Sequence, residues 1–156
     1  AVLHTGQPQP FGLGVLGGYL VWSAGADTSG ALRRSSLEGG APELIAADQN
    51  LPRDLAVFGE RVYWANTRAD AGEVRRATFL TDGGIEVETL AQAQPRPWSV
   101  IESDGRVYWA DFALGRVLSC PVAACSGEPE VFAAGTPQAT YLAADARFVY
   151  VATFLG

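Results

Sequence analysis

The sequence predicts an all-β fold in which four-stranded antiparallel sheets, or blades, stack radially as in a β-propeller. Three observations lead to this prediction. An aromatic strand recurs every 42 to 45 residues, a proline precedes its first three copies by twelve positions, and a glycine opens the strand that follows each of those copies. A repeat period of about 20 to 50 residues is typical of repeat architectures.

The aromatic strand is the clearest repeated element. Its four copies end in Val21-Trp22, Tyr63-Trp64, Tyr108-Trp109 and Tyr150-Val151, which are spaced by 42, 45 and 42 positions. These strands are apolar at successive positions, whereas a strand with one face in water alternates, so we expect neighbouring sheets to cover both faces. The residues that we expect to form the core between blades are Trp22, Tyr63, Trp64, Tyr108, Trp109 and Tyr150.

Prolines and glycines set the frame of each repeat. The prolines begin the strand before the aromatic one, where a missing N–H is tolerated: Pro10, Pro52 and Pro97. In the fourth copy Pro137 stands fourteen residues before Val151, which we interpret as a short insertion. The glycines that open the third strand are Gly30, Gly72 and Gly115. With a further apolar stretch after each of these, every repeat has four strands, A to D.

The repeats predict about three and a half blades. We assign 1–9 to strand D of a preceding blade, 10–51, 52–96 and 97–137 to three blades, and 138–156 to strands A and B of a fourth. A ring of six or seven blades is expected, and six blades alone need roughly 250 residues. We therefore expect the chain to be part of a longer propeller, or its ring to be completed by another chain. The absence of Met also indicates processing or a longer polypeptide.

Composition excludes several classes of function. The formal net charge of −6 argues against a nucleic-acid partner, because phosphate binding requires clustered cations. The chain has no Lys, which excludes Schiff-base chemistry on lysine. No apolar run approaches the roughly 18 residues of a membrane span, so none is expected.

The repeat pattern P-x-x-L-A-V…G-x-x-V-Y-W-A-[ND]…G-x-V resembles the YWTD repeat of six-bladed extracellular propellers, with similarity to NHL repeats. The second and third copies carry it most fully, as Tyr63-Trp64-Ala65-Asn66 and Tyr108-Trp109-Ala110-Asp111. The resemblance implies that Asn66 and Asp111 keep the polar residue that fixes loops between blades. We also count both among the candidate ligand contacts, because they begin the B–C loops.

Two cysteines, Cys120 and Cys125, lie where strand C is expected to turn into strand D. A tight hairpin brings Cα atoms within the roughly 4.4–6.8 Å that a disulfide needs. Free buried thiols and a metal site are the alternatives, although zinc would require further ligands. A disulfide would indicate an oxidising compartment. The segment also resembles cysteine-bearing propeller repeats in secreted proteins of myxobacteria-like bacteria.

Positions that differ between repeats are the best candidates for ligand contacts. One residue after each anchor proline stand Phe11, Arg53 and Trp98, where strand A is expected to approach the central channel. The D–A and B–C loops of propeller blades share one face. We expect Arg53 and Trp98 to hold an anionic or aromatic group there. The alternative is that the aromatic side chains only pack.

These features lead to two functional hypotheses. The first is a non-enzymatic, extracytoplasmic scaffold, whether secreted, periplasmic or on the cell surface, that presents this loop face to a protein, peptide or glycan. The second is part of a six-bladed propeller enzyme, lactonase- or lyase-like, whose catalytic residues lie mostly outside this chain. We assign no catalytic residue, metal or cofactor. His4 has no nucleophile or carboxylate fixed near it by spacing, and Asp54 is the sole acid beside the three differing positions.

Overall fold

Three four-stranded sheets and one two-stranded sheet form the computed structural model, which describes residues 2–25, 29–69, 71–125 and 128–154. The first sheet contains β1 (Pro10–Leu16), β2 (Tyr19–Ala24), β3 (Gly30–Ser36) and β4 (Glu43–Gln49). The second contains β5 (Pro52–Phe58), β6 (Arg61–Asn66), β7 (Gly72–Phe79) and β8 (Ile85–Gln94). The third contains β9 (Pro97–Ser103), β10 (Arg106–Asp111), β11 (Arg116–Pro121) and β12 (Glu130–Ala134), and the fourth contains β13 (Ala139–Ala144) and β14 (Val149–Thr153).

Every sheet is an antiparallel meander, in which each strand pairs with the next along the chain. Two-residue turns explain the tight hairpins. Gly17 and Gly18 both have positive φ, as do Asp104 and Gly105. A type I′ turn requires this conformation, and its twist matches the twist of the flanking strands. The predicted all-β fold of four-stranded antiparallel sheets is confirmed, and the described residues contain no helix long and apolar enough to cross a membrane.

The first strand of each sheet lies on the inside. β1 contacts β5, β5 contacts β9, and β9 contacts β13, so that successive sheets stand side by side. Side-chain hydroxyls tie these inner strands together. Ser23 Oγ donates to the carbonyl oxygen of Arg53 at 2.6 Å, and Ser99 Oγ donates to Asp54 Oδ2 at 2.6 Å while accepting from the N–H of Leu142 at 3.2 Å. These two hydroxyl groups therefore form hydrogen bonds between neighbouring sheets.

The second strand of each sheet is buried on both faces where sheets flank it. Trp64 packs with Leu16 and Leu32 of the first sheet, whereas its neighbour Tyr63 packs with Val100 and residues of the third sheet. The structure likewise buries Trp22, Tyr108 and Trp109.

Tyr150 differs from its expected place in the core, because its side chain is 51% exposed. In the second and third sheets the equivalent side chains, Tyr63 and Tyr108, face the sheet that follows them. The fourth sheet has only the strands β13 and β14, and no described strand packs on the face that Tyr150 occupies. The missing neighbour explains the exposure.

A glutamine holds each buried tryptophan of the second strands. The indole Nε1 atoms of Trp22, Trp64 and Trp109 donate to Gln7, Gln49 and Gln94, at 3.0, 2.9 and 3.1 Å, always 15 residues earlier. Gln49 and Gln94 end β4 and β8. Gln7 therefore occupies the position relative to its tryptophan that Gln49 and Gln94 occupy relative to theirs.

The prediction of a strand within 1–9 is nevertheless not met in the described part, which begins at residue 2. Residues 2–9 form no strand, and none of the described strands pairs with them. The interpretation of Pro137 is also wrong. Ala139, not Pro137, pairs with Thr153, as Pro52 pairs with Asn66. Ala139 lies twelve residues before Val151, so the fourth repeat contains no insertion at this point.

The predicted disulfide between Cys120 and Cys125 is present, with Cα atoms 5.1 Å apart. Both cysteines are buried in the same cluster as Tyr63 and Val74 of the second sheet. The loop that they close is also hydrogen-bonded to that sheet, because Arg76 donates to the carbonyl oxygen of Val122 at 3.1 Å. The disulfide therefore shapes a contact between two sheets.

Candidate functional site

One edge of the sheets carries the candidate site, and we call it the loop face. The inner strands begin there and the second strands end there, as the pairs Pro52–Asn66 and Pro97–Asp111 show. Phe11, Arg53 and Trp98 are the second residues of β1, β5 and β9. Because these three strands lie side by side, the fold brings the three side chains to the same edge.

The structure places these three predicted residues in direct contact. Arg53 Cζ lies 4.8 Å from the ring centroid of Phe11 and 4.2 Å from that of Trp98. β5 lies between β1 and β9, so the two rings approach the guanidinium from neighbouring sheets on either side. Each cation–π contact of this kind contributes about 0.5–2 kcal/mol, depending on how far it is removed from water.

Two residues that sequence reasoning missed extend this arrangement. Phe112, which follows β10, stacks on Trp98 with centroids 5.0 Å apart, and Arg96 Cζ lies 4.8 Å from the centroid of Phe112. We call Phe11, Arg53, Trp98, Phe112 and Arg96 the arginine–aromatic stack. A sequence signal for Arg96 exists, because it precedes its anchor proline at a position where the other repeats carry Gln9 and Leu51.

Within residues 2–25, 29–69, 71–125 and 128–154, Arg53 finds no acceptor for its hydrogen bonds. Its Nε is buried without a partner, and no carboxylate of the described residues lies within ion-pair distance of Arg53 or Arg96. Burial lowers the pKa of Arg53, and the positive charge of Arg96 lowers it further, while Tyr141 acts in the opposite direction. Arginine remains protonated despite such shifts, so the stack carries two positive charges.

Asp54 stands beside the stack but is engaged elsewhere. Its Oδ2 accepts from Ser99 Oγ at 2.6 Å, and the backbone N–H groups of Leu55 and Val100 also bond to the carboxylate. Burial raises the pKa of Asp54, and these hydrogen bonds oppose the increase. Asp54 therefore links β5 to β9 while its charge borders the site.

A small cavity opens at this point of the loop face. Its volume is about 50 Å³, and it is lined by Phe11, Arg53, Asp54, Trp98 and Tyr141. The residues come from all four inner strands, so the cavity exists only because the sheets are stacked. Larger grooves lie elsewhere, but none of them contains the three differing positions together.

Asn66 and Asp111 do not join the site, although we counted both as candidate ligand contacts. Each is 1% exposed. Asn66 Nδ2 donates to Gln49 Oε1 at 3.0 Å, and the Asp111 carboxylate accepts from the N–H of Leu114 at 3.0 Å and from Arg116 at 2.9 Å. Both side chains hold the chain where it leaves the second strand, and neither lines the cavity beside Arg53.

His4 contacts a serine, and metal-binding geometry is not found among the described residues. His4 Nε2 lies 2.7 Å from Ser35 Oγ, and its ring stacks on Trp22 with centroids 5.1 Å apart. No group of three or more His, Cys, Asp or Glu side chains is arranged to hold a metal ion in this part of the chain.

Neither a protein-family profile nor a curated protein matches this chain. Solved structures do match. One is described as the crystal structure of a nidogen/laminin complex, with a TM-score of 0.56 and 16% identity, covering 93% of this chain and 72% of that one. A virginiamycin B lyase from Staphylococcus aureus matches with a TM-score of 0.60 and 13% identity over 86% of this chain and 45% of the lyase. The glutaminyl cyclase of Myxococcus xanthus matches with a TM-score of 0.60 and 17% identity over 96% of this chain and 63% of the cyclase.

These matches establish the fold. The similar structures are β-propellers, and the four-stranded sheets described above are blades of such a propeller. The proteins include a binding protein and enzymes, and this chain spans less than two thirds of the two enzyme chains.

Proposed function

We propose that this chain is part of a non-enzymatic, extracytoplasmic binding scaffold of the YWTD-like kind, whose loop face contacts a protein, peptide or glycan. The observation that carries the proposal is Arg53, which is held between Phe11 and Trp98 without a hydrogen-bond acceptor among the described residues. A cation that is positioned by rings but not neutralised favours a partner that supplies the acceptor.

The enzyme hypothesis is the second candidate. It is favoured by the similarity to a lyase of which this chain covers only 45%, so that residues of an active site would lie in the uncovered part. Within the described residues, however, the one carboxylate beside the site is Asp54, which is bonded to Ser99. An acid that is held in this way is poorly placed to act on a ligand.

The disulfide supports an extracytoplasmic location. The structure contains the Cys120–Cys125 disulfide, and disulfides persist in oxidising compartments. The similarity to a structure of a nidogen/laminin complex supports a protein as one class of partner.

The test is a binding screen on immobilised peptides and glycans with the 156-residue chain and matched variants. Arg53→Ala and Trp98→Ala are expected to lose the ligands that the unchanged chain retains. Glu60→Ala, in the β5–β6 hairpin at the opposite edge, is the control and is expected to retain them. Loss of binding only in the control variant, or recovery of a ligand in chemically altered form, would contradict the proposal.

A further inference from the structure

We infer that Arg53 anchors a carboxylate-binding subsite on the loop face, formed with Phe11, Trp98 and Tyr141 and flanked by Arg96. This inference rests on the proposed binding function and names the chemical group that the loop face recognises. It is carried by the unused donors of Arg53, by the rings that orient the guanidinium, and by the size and charge of the adjoining cavity.

The unused donors distinguish Arg53 from most other arginines of the chain. A guanidinium has five N–H donors in a planar fork. The described arginines that donate to a carboxylate or amide oxygen of this chain are Arg34, Arg61, Arg75, Arg76, Arg106 and Arg116. Arg53 makes no such bond, and its Nε is buried. The terminal Nη groups have no hydrogen-bond partner among the described residues either, so an acceptor supplied from outside the chain is expected to pair with them rather than with the buried Nε.

The two rings determine how an acceptor approaches. Phe11 and Trp98 approach the guanidinium from the strands on either side, at 4.8 and 4.2 Å. These contacts hold the guanidinium in place, and we assign its remaining N–H groups to the ligand. A carboxylate presents two coplanar oxygens that match this fork, whereas a single acceptor uses only one arm.

The two arginines favour an anionic ligand, and the nearby Asp54 favours a ligand with a single negative charge. Arg96 adds a second unpaired positive charge, close enough to lower the pKa of Arg53. Asp54 in the cavity wall adds a negative one, which disfavours a dianion more than a monoanion. A monoanionic carboxylate satisfies both conditions better than phosphate does.

The cavity volume limits the ligand to a small group. The cavity measures about 50 Å³. A cavity needs roughly 10–15 Å³ to hold one water molecule, so this space accommodates a group of a few heavy atoms such as a carboxylate, but not a whole sugar or amino-acid residue. The rest of the ligand would lie outside, against the exposed rings of Phe11 and Tyr141.

The test uses acetate, its neutral isostere acetamide, and inorganic phosphate as probes of the 156-residue chain at constant ionic strength. The readout is the indole N–H signal of Trp98 in NMR spectra, assigned by its loss in Trp98→Phe. The indole signals of Trp22, Trp64 and Trp109, which are bonded to glutamines, report that the fold is intact. Acetate is expected to shift the Trp98 signal in a saturable way, and acetamide is not.

The variants separate binding from general effects of charge. Arg53→Gln is expected to weaken acetate binding at least tenfold, and Arg96→Gln two- to fivefold. Asp54→Asn keeps an acceptor for Ser99 and removes the negative charge, so acetate is expected to bind at least twofold more tightly. Arg147→Gln, beside Phe148 in the β13–β14 hairpin, is the control and is expected to leave the affinity unchanged. If Arg53→Gln fails to fold, Arg53→Lys replaces it, because lysine keeps the positive charge but lacks the planar pair of N–H donors. This variant is expected to bind acetate more weakly than the unchanged chain.

Equal responses to acetate and acetamide, tighter binding of phosphate than of acetate, or unchanged affinity in Arg53→Gln would overturn the inference. The proposed scaffold function is tested separately. If Arg53→Ala abolishes the binding of an immobilised ligand but acetate has no effect, the loop face binds through another chemistry and only the carboxylate assignment fails. If acetate binds as expected but the ligands of the screen survive in Arg53→Ala, the proposed function fails instead.

Discussion

Tryptophan occupies two different environments in this protein. Trp64 is fully buried between the first and second sheets, and its indole N–H is bonded to Gln49. Trp98 is partly buried at the loop face, between the guanidinium of Arg53 and the ring of Phe112. The first environment is that of a core residue, whereas the second leaves part of the ring available to a ligand.

The two tryptophans are therefore expected to differ in their contribution to stability. Trp64→Ala should reduce the free energy of unfolding by about 3–5 kcal/mol, because it opens a cavity between sheets. Trp98→Ala should cost about 1–2 kcal/mol, the magnitude of partly exposed cation–π and stacking contacts. Denaturant unfolding of both variants measures the difference. A loss at Trp98 as large as that at Trp64 would show that Trp98 is core, and would remove it from the candidate site.

Gln49 is expected to stabilise the protein because its side-chain oxygen accepts hydrogen bonds from three buried or partly buried side-chain donors. Its Oε1 accepts from Trp64, Asn66 and Arg75. Gln49→Leu leaves these donors without an acceptor and should cost about 2–3 kcal/mol in unfolding free energy. Gln7→Leu is the matched control, because Gln7 accepts from Trp22 in a partly buried position and should cost about 1 kcal/mol or less. Similar losses in the two variants would contradict this explanation.

At the scale of elements, the loop between β11 and β12 joins two blades. The Cys120–Cys125 disulfide closes it, and Val122 accepts a hydrogen bond from Arg76 of β7. The cysteines of the unreduced chain should therefore resist alkylation. Replacing both by Ala should lower the free energy of unfolding by at least about 2 kcal/mol, the loop-entropy contribution of a short disulfide loop. Rapid alkylation of both thiols without reductant would contradict the disulfide and weaken the proposed extracytoplasmic location.

Glycines at the start of the third strands permit close approach between blades. A Cβ on Gly72 would stand 2.3 Å from Pro97 Cδ and 2.6 Å from the carbonyl oxygen of Gln94. Gly72→Ala should thus destabilise the protein by about 1–3 kcal/mol through overpacking. Gly84→Ala, where the nearest atom is a side-chain oxygen of Asp82 at 3.1 Å, is the control and should cost less. Thermal unfolding compares the two, and equal melting temperatures would show that the strands move apart at little cost.

At the scale of the whole molecule, the outward faces of the first and fourth sheets expose apolar side chains, namely Leu13, Val15, Phe148 and Tyr150. Equivalent faces of the second and third sheets are covered by neighbours. The isolated 156-residue chain is therefore expected to associate in solution, since large exposed apolar faces and open strand edges favour contact. Light scattering during dilution measures this, and a monodisperse monomer would contradict it.

Most of the repeat architecture was predictable from the sequence, because the same physical requirement recurs in each blade. Strand B is buried on both faces and therefore needs apolar residues at successive positions. Strand A begins with proline and strand C opens with glycine, each at a fixed position in the repeat. Those positions repeat, so Trp22, Trp64 and Trp109 define the period without knowledge of contacts. The glutamines that accept hydrogen bonds from these tryptophans recur with the same spacing, at Gln7, Gln49 and Gln94. They are a polar part of the repeat that the apolar pattern does not indicate.

The tertiary structure decided which of the differing residues meet. Phe11, Arg53 and Trp98 are 42 and 45 residues apart in the sequence, and only the side-by-side inner strands bring them into one stack. Phe112 and Arg96 join from positions just outside the strands, where the repeats carry different residues, whereas Asn66 and Asp111 are buried. The local sequence determines the strands because each blade imposes the same requirements of hydrogen bonding and packing on the same positions of the repeat. The contacts of a site depend on distances across the sheets, which the sequence pattern of any one blade does not contain.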